Sequence, residues 1–188
     1  MIDILLSASV PLPERDQRFF STADNIFIRE SIKALLEVIL PIGRITCGGH
    51  PAITPLLALF IRDGGLDSDR VTIFQSAFFA GKIPREVLDF LDVQITPAVN
   101  EDRSASLSAM RKKMVEHRDY KALVIIGGME GVFEEHEIFV STHPEAAVLP
   151  IASTGAAAKI VYDTGQGQYD KDLATNFTFT TLFRRKLL

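Results

Sequence analysis

Short apolar runs alternate with amphipathic stretches along most of this chain. Residues 2–7 read as a first strand, and a polar loop rich in proline and charge follows over 11–24. Asp24 or Asn25 caps a helix that runs to about Leu40, where Pro41 and Gly43 stop it. Residues 44–47 form a second strand ending in Gly48-Gly49. Pro51 opens a helix that runs to about Asp63 and ends at Gly64-Gly65. A third strand at 71–74, a short helix at 84–90 and a fourth strand at 93–96 come next. A helix over 102–117 leads into a fifth strand at 122–126. Then come a helix at 131–140, a sixth strand at 148–152 and a helix at 156–162.

Strands that are apolar almost throughout, each followed by a helical pattern, predict a parallel sheet covered on both faces. The tail fits two descriptions. Residues 177–183 alternate apolar residues with threonine, as a strand would, yet also suit a helix. Arg184-Arg185-Lys186 suits either a solvated terminus or an oligomer contact. No internal repeat or low-complexity segment appears, so the 188 residues are expected to form one domain. Its core covers about 1–162, with 163–188 as a C-terminal extension.

Composition narrows the picture. Apolar residues make up 47% and charged residues 23%, a globular balance. The net charge of −4 argues against nucleic acid or a membrane surface as partner. Cys47 is the single cysteine, which rules out a disulfide framework and fits a reducing, cytoplasmic setting. The start of the chain has no basic segment of a signal peptide, and the apolar run at 32–42 is too short and too charged to span a bilayer.

In open parallel sheets, ligands bind beyond the carboxyl ends of the strands. Candidate chemistry gathers there. Ser7 and Ser9 close the first strand, with Arg15, Asp16 and Arg18 beyond. Gly48-Gly49-His50 follows the second strand and Gln75-Ser76 the third. Gly127-Gly128 follows the fifth, and Ser153-Thr154-Gly155 the sixth. Glycine lets backbone approach a ligand, and the helix start at Gly131 offers unpaired N–H groups to a phosphate. Glu135 lies one turn into that helix, where its dipole favours a carboxylate. The neighbouring Glu134 and Glu137 suit a solvated acidic face. Arg111 stands beside the apolar stripe of Leu107, Met110 and Met114. It either extends to solvent or reaches the sheet edge to pair with phosphate or Glu135. Neither a G-x-G-x-x-G turn nor a P-loop is present. His136 and His143 lie seven apart without a visible third ligand, so no metal and no cofactor is expected.

The segment from Met110-Arg111-Lys112 to Gly127-Gly128-Met129-Glu130-Gly131-Val132-Phe133-Glu134-Glu135 resembles the nucleotide-binding signature of the Lonely Guy phosphoribohydrolases. That signature has an Arg-Lys pair on a helix, a strand, then P-G-G-x-G-T-x-x-E. Arg111 matches its arginine. Glu135 matches its catalytic glutamate once an extra loop residue is allowed. Ile126 stands in place of the proline and Val132 in place of the threonine. Gly48-Gly49-His50-Pro51 is similar to an earlier glycine-rich turn of that family. Thr154-Gly155 is similar to a small-residue turn of the wider SLOG superfamily. Leu6 to Pro11 and Gly48 to Pro55 look closest to the bacterial SLOG cluster 3 type, attributed to conflict and defence systems. The resemblance implies a Rossmann-like three-layer α/β sandwich around a mostly parallel sheet of about six or seven strands. It implies a nucleotide-derived ligand, either a nucleoside monophosphate or an ADP-ribose-type signal. It also implies a homodimer or higher homo-oligomer. Under it, Arg111 and Glu135 are the candidate catalytic pair. Ser7, Ser9, Gly48, Gly49, His50, Gln75, Gly127, Gly128, Gly131, Thr154 and Gly155 are the candidate ligand contacts. A sensor is the leading expectation, and hydrolysis of the N-glycosidic bond of nucleoside monophosphates the alternative.

Overall fold

The computed structural model describes residues 1–14 and 16–188. Arg15, expected in the loop after the first strand, lies outside the described residues. Six strands form one sheet: β1 (Ile2–Ser9), β2 (Gly43–Gly48), β3 (Val71–Ser76), β4 (Asp92–Thr96), β5 (Ala122–Gly127) and β6 (Ala147–Ile151). The helices are α1 (Gln17–Phe20), α2 (Asn25–Ile39), α3 (Ile53–Gly64), α4 (Arg103–Val115), α5 (Gly131–Thr142), α6 (Ala156–Thr164), α7 (Asp172–Thr175) and α8 (Phe179–Leu187). The sheet order is β4-β3-β2-β1-β5-β6, and each neighbouring pair runs parallel.

Burial on both faces explains the near-continuous apolar strands. Successive strand residues point to opposite faces, so Ile4 and Leu6 enter one core while Leu5 enters the other. The first core holds Ile28, Ile32, Leu35 and Ile39 of α2, Leu57 and Ile61 of α3, and Leu182, Phe183 and Leu187 of α8. The second holds Met110 and Met114 of α4, Val132 and Phe139 of α5, and Ala157 and Val161 of α6. The architecture is therefore an α/β sandwich of three layers.

Helix ends follow their local chemistry. The Asp24 side chain accepts from the Ile26 and Phe27 N–H groups and starts α2. Asp102 accepts from Ala105 N–H and starts α4. Gly65, at φ 59°, ends α3 in the left-handed conformation.

Several boundaries differ from those expected. β1 continues to Ser9, two residues past the expected end at Ser7, so Ser9 is a strand residue as well. Pro51 lies in a turn ahead of α3, because Thr54 is the first residue whose N–H returns to His50 O. The 84–90 segment is a 3-10 turn over Arg85–Asp89, too short to close an α-helical ladder. The tail is helical: α8 buries Phe179, Leu182, Phe183 and Leu187 on α2. Its Arg185 pairs with Asp172 at 2.9 Å and Lys186 pairs with Asp170. Among the described residues, no helix is long and apolar enough to cross a membrane.

Thr154 shows how the β6 turn locks β5. Its hydroxyl accepts from Gly127 N–H at 2.8 Å and donates to Ile151 O at 2.6 Å, fully buried. Thr154→Val keeps the shape but leaves a buried N–H unpaired, at a cost of about 1–3 kcal/mol. The urea midpoint of this variant is expected to fall at unchanged slope. An unshifted midpoint would mean that the bond contributes nothing.

Candidate functional site

The strand order reverses at β1. β2, β3 and β4 extend to one side of it, β5 and β6 to the other. In such sheets the crevice opens where the two directions part. Here a cleft of about 1410 Å³ opens over the ends of β1, β2 and β3 and between α4 and α5.

Arg111 and Glu135 meet in this cleft. α4 delivers Arg111 across the sheet, and α5 turns Glu135 back over the end of β1. Ser7 donates its hydroxyl to Glu135 Oε2, and Arg111 Nε stands 3.5 Å from Glu135 Oε1. The guanidinium also donates to Glu134. It lies against Gly131, where an added Cβ would fall 2.5 Å from a guanidinium nitrogen. Glu134 is thus a site residue that the sequence reading left on a solvated face. Glu137 is exposed, as that reading has it.

Burial pushes the Glu135 carboxyl up from its ordinary value, and neither the Ser7 hydrogen bond nor the Arg111 charge brings it fully back. A carboxyl with this setting holds its proton to higher pH than a solvated one, and its oxygens can hydrogen-bond sugar hydroxyls. Cys47 gives no nucleophile: burial, with the Glu135 charge added, pushes its thiol up to about 12.

The other expected contacts divide into two groups. Ser7, Ser9, Gly48, Gly49, His50, Gln75 and Gly131 line the cleft. His50 Nδ1 accepts from Ala52 N–H at 3.1 Å. Gln75 is 5% exposed and lies over Gly49, where a Cβ would fall 1.8 Å from its amide nitrogen. Among the described residues, the side chains of Gln75 and Ser9 have no hydrogen-bond partner. Arg111 Nε, also on the cleft, is a buried polar atom without a hydrogen-bond partner among the described residues, and such atoms are uncommon and suit a site awaiting a ligand.

Gly127, Gly128, Thr154 and Gly155 do not line the cleft. Their places in the fold are internal. Gly128 N–H is taken by Ser9 O at 2.8 Å. A Cβ on Gly128, at φ 97°, would strike Val132 at 2.3 Å; one on Gly127 would strike Ile28 at 2.7 Å. Gly155, at φ 73°, admits the backbone of Thr22, whose oxygen would lie 1.8 Å from a Cβ. These glycines are required by packing rather than by ligand approach. Val132, standing where the hydrolase signature has threonine, is buried against Gly128 and brings no hydroxyl to the cleft.

Phe78, Phe79 and Lys82, in the 3-10 segment after β3, also line the cleft, as do Arg103 and Ser104 at the start of α4. No motif marks them. The only signal was their position beyond strand ends. Among the described residues, no three His, Cys, Asp or Glu side chains converge on a metal position.

The family model described as the SLOG cluster3 family matches residues 18–187. The chain belongs to the SLOG cluster3 family. Membership in the SLOG cluster3 family brings with it a Rossmann-like fold and a nucleotide-related function in the broad sense. The X-ray structure of TM1055, a structural-genomics target, superposes over 100% of both chains with a TM-score of 0.61 at 12% identity, a likeness of fold alone. No curated protein matches the chain.

The raised Glu135 carboxyl sets a pH test. Its folded pKa lies above its unfolded value, so the folded state holds the proton longer. That stability is present below the ordinary 4.5 and is lost as pH rises through the folded pKa. Urea unfolding of wild type and Glu135→Gln across the acid-to-neutral range is expected to show wild type losing stability relative to the variant as pH rises. A relative gain with rising pH would mean that Arg111 outweighs burial.

Proposed function

We propose that the cleft binds a nucleotide-derived ligand, a nucleoside monophosphate or ADP-ribose-type molecule, with its ribose hydroxyls on Glu135 and Ser7. The observation that carries this reading is the junction of Ser7, Glu135 and Arg111 at the point where the strand order reverses. Family membership and the unpartnered Arg111 Nε on the cleft support it. Residues 1–188 are taken as one ligand-binding unit, and self-association is part of the same proposal.

Recognition without turnover fits best, as in a sensor of the conflict and defence type that the resemblance suggests. Cleavage of an N-glycosidic bond builds positive charge on the ribose, and an ionised carboxylate beside it lowers the barrier. Burial raises the Glu135 carboxyl, which makes its ionised form harder to hold. Arg111 is shared between two carboxylates. Both features favour binding over catalysis. The hydrolase reading has one observation in its favour: a protonated Glu135 could serve as general acid toward the leaving base.

Calorimetry of the purified chain with nucleoside monophosphates and ADP-ribose is expected to show binding with ligand recovered intact. Glu135→Gln should weaken binding about tenfold, the loss of one hydrogen bond to a charged group. Absence of heat with every member of the panel would defeat the reading. Release of free base by wild type but not by Glu135→Gln would convert it into the hydrolase reading.

A further inference from the structure

The two ends of the cleft differ in charge. Around the start of α5 stand Glu130, Glu134 and Glu135, and the one cation among the described residues there, Arg111, is engaged by two of them. Gly127 and Gly128 have given their N–H groups to Thr154 and Ser9. Among the described residues, a phosphate at this end would meet three carboxylates and no uncommitted cation, an arrangement that repels it.

The opposite end is basic. Lys82, after β3, and Arg103, at the start of α4, both line the cleft and are exposed. Among the described residues, neither has an ion-pair partner. Arg103 and Ser104 also occupy the first turn of α4, a helix of 13 residues whose Asp102 cap engages only the Ala105 N–H. Between the two ends lies Gln75, whose side chain packs over Gly49 and has no hydrogen-bond partner among the described residues. Phe78 and Phe79 form an apolar wall beside Lys82. The β5 and β3 ends are three inter-strand steps apart, about 14 Å laterally, so one extended ligand can touch both.

We infer that the phosphate-recognising end of this cleft is formed by Lys82 and Arg103, on the β3 and α4 side, and not by the Gly127-Gly128 turn with Arg111. The ligand class is an extended, phosphorylated nucleotide derivative. Its sugar lies at Ser7 and Glu135, and its acidic group reaches past Gln75 to the two cations. This rests on the reading that the cleft takes a nucleotide-derived ligand.

The test uses the full chain and a panel of the four common nucleosides with their mono- and diphosphates and ADP-ribose. Wild type is expected to bind at least one phosphorylated form about tenfold or more tightly than the matching nucleoside, by one charge-assisted contact or more. Lys82→Gln/Arg103→Gln, which alters two exposed side chains, is expected to lose that preference while keeping the affinity for the nucleoside. If the double variant keeps the full preference, the phosphate lies elsewhere and the inference falls while the nucleotide reading stands. If wild type binds no member, the nucleotide reading falls and takes the inference with it.

Discussion

The parallel pairing of β1 with β5 is the constraint on which the cleft depends. Its register sets Ser7 beside Ile125 and Ser9 beside Gly127. Ser7 and Ser9 share a face by the two-residue period of a strand, and that face is the one covered by α4 and α5. A slip of one residue would put Leu6 or Ala8 where Ser7 meets Glu135. It would also turn Leu5 out of its core and Ile4 into the wrong one. Hydrophobic burial on both faces therefore fixes the register, and the register fixes the polar junction. The chemistry of the site is held by residues far from it.

Within the junction, two carboxylates share one guanidinium. Burying Glu135 is unfavourable, and one hydroxyl donor with one shared cation only partly offsets it. Arg111 Nε has no hydrogen-bond partner among the described residues despite its approach to Glu135. A cluster built for stability alone would have satisfied that donor. Polar groups kept at a cost, at the mouth of a cleft, suggest that the fold holds them for a ligand.

What the sequence made legible follows from what each signal measures. Apolar runs flanked by glycine and proline report burial on two faces, so all six strands and their parallel arrangement were readable. Arg111 and Glu135 were readable as a pair because a motif carried them. The tail was not, since alternation at 177–183 fits two periods over so short a span, and only packing of Leu182 and Phe183 on α2 decides it. Glycine was the weakest guide. Gly49 and Gly131 admit the side chains of Gln75 and Arg111, whereas Gly127, Gly128 and Gly155 admit Ile28, Val132 and the Thr22 backbone. In sequence these are the same residue after the same kind of strand. What a glycine makes room for is a tertiary property. Glu134 was missed for the converse reason, because an acidic run on a helix looks solvated until Arg111 reaches it from α4.

The size and exposure of the cleft also bear on what it does. At about 1410 Å³ it exceeds the roughly 300–1,000 Å³ usual for small-molecule sites. Glu130, Lys82, Arg103 and Ser104 on its rim are exposed to water. Charge stabilisation at a breaking glycosidic bond is strong only where water is excluded, because a high dielectric weakens each electrostatic contact. Recognition has no such requirement. A ligand spanning from Glu135 to the basic rim would gain affinity by adding contacts, Gln75 and the Phe78–Phe79 wall among them, without any need to close the cleft. The same open geometry that suits a long ligand thus weakens the case for chemistry on a short one. This joins the raised Glu135 carboxyl and the divided Arg111 as a third reason to place recognition ahead of turnover.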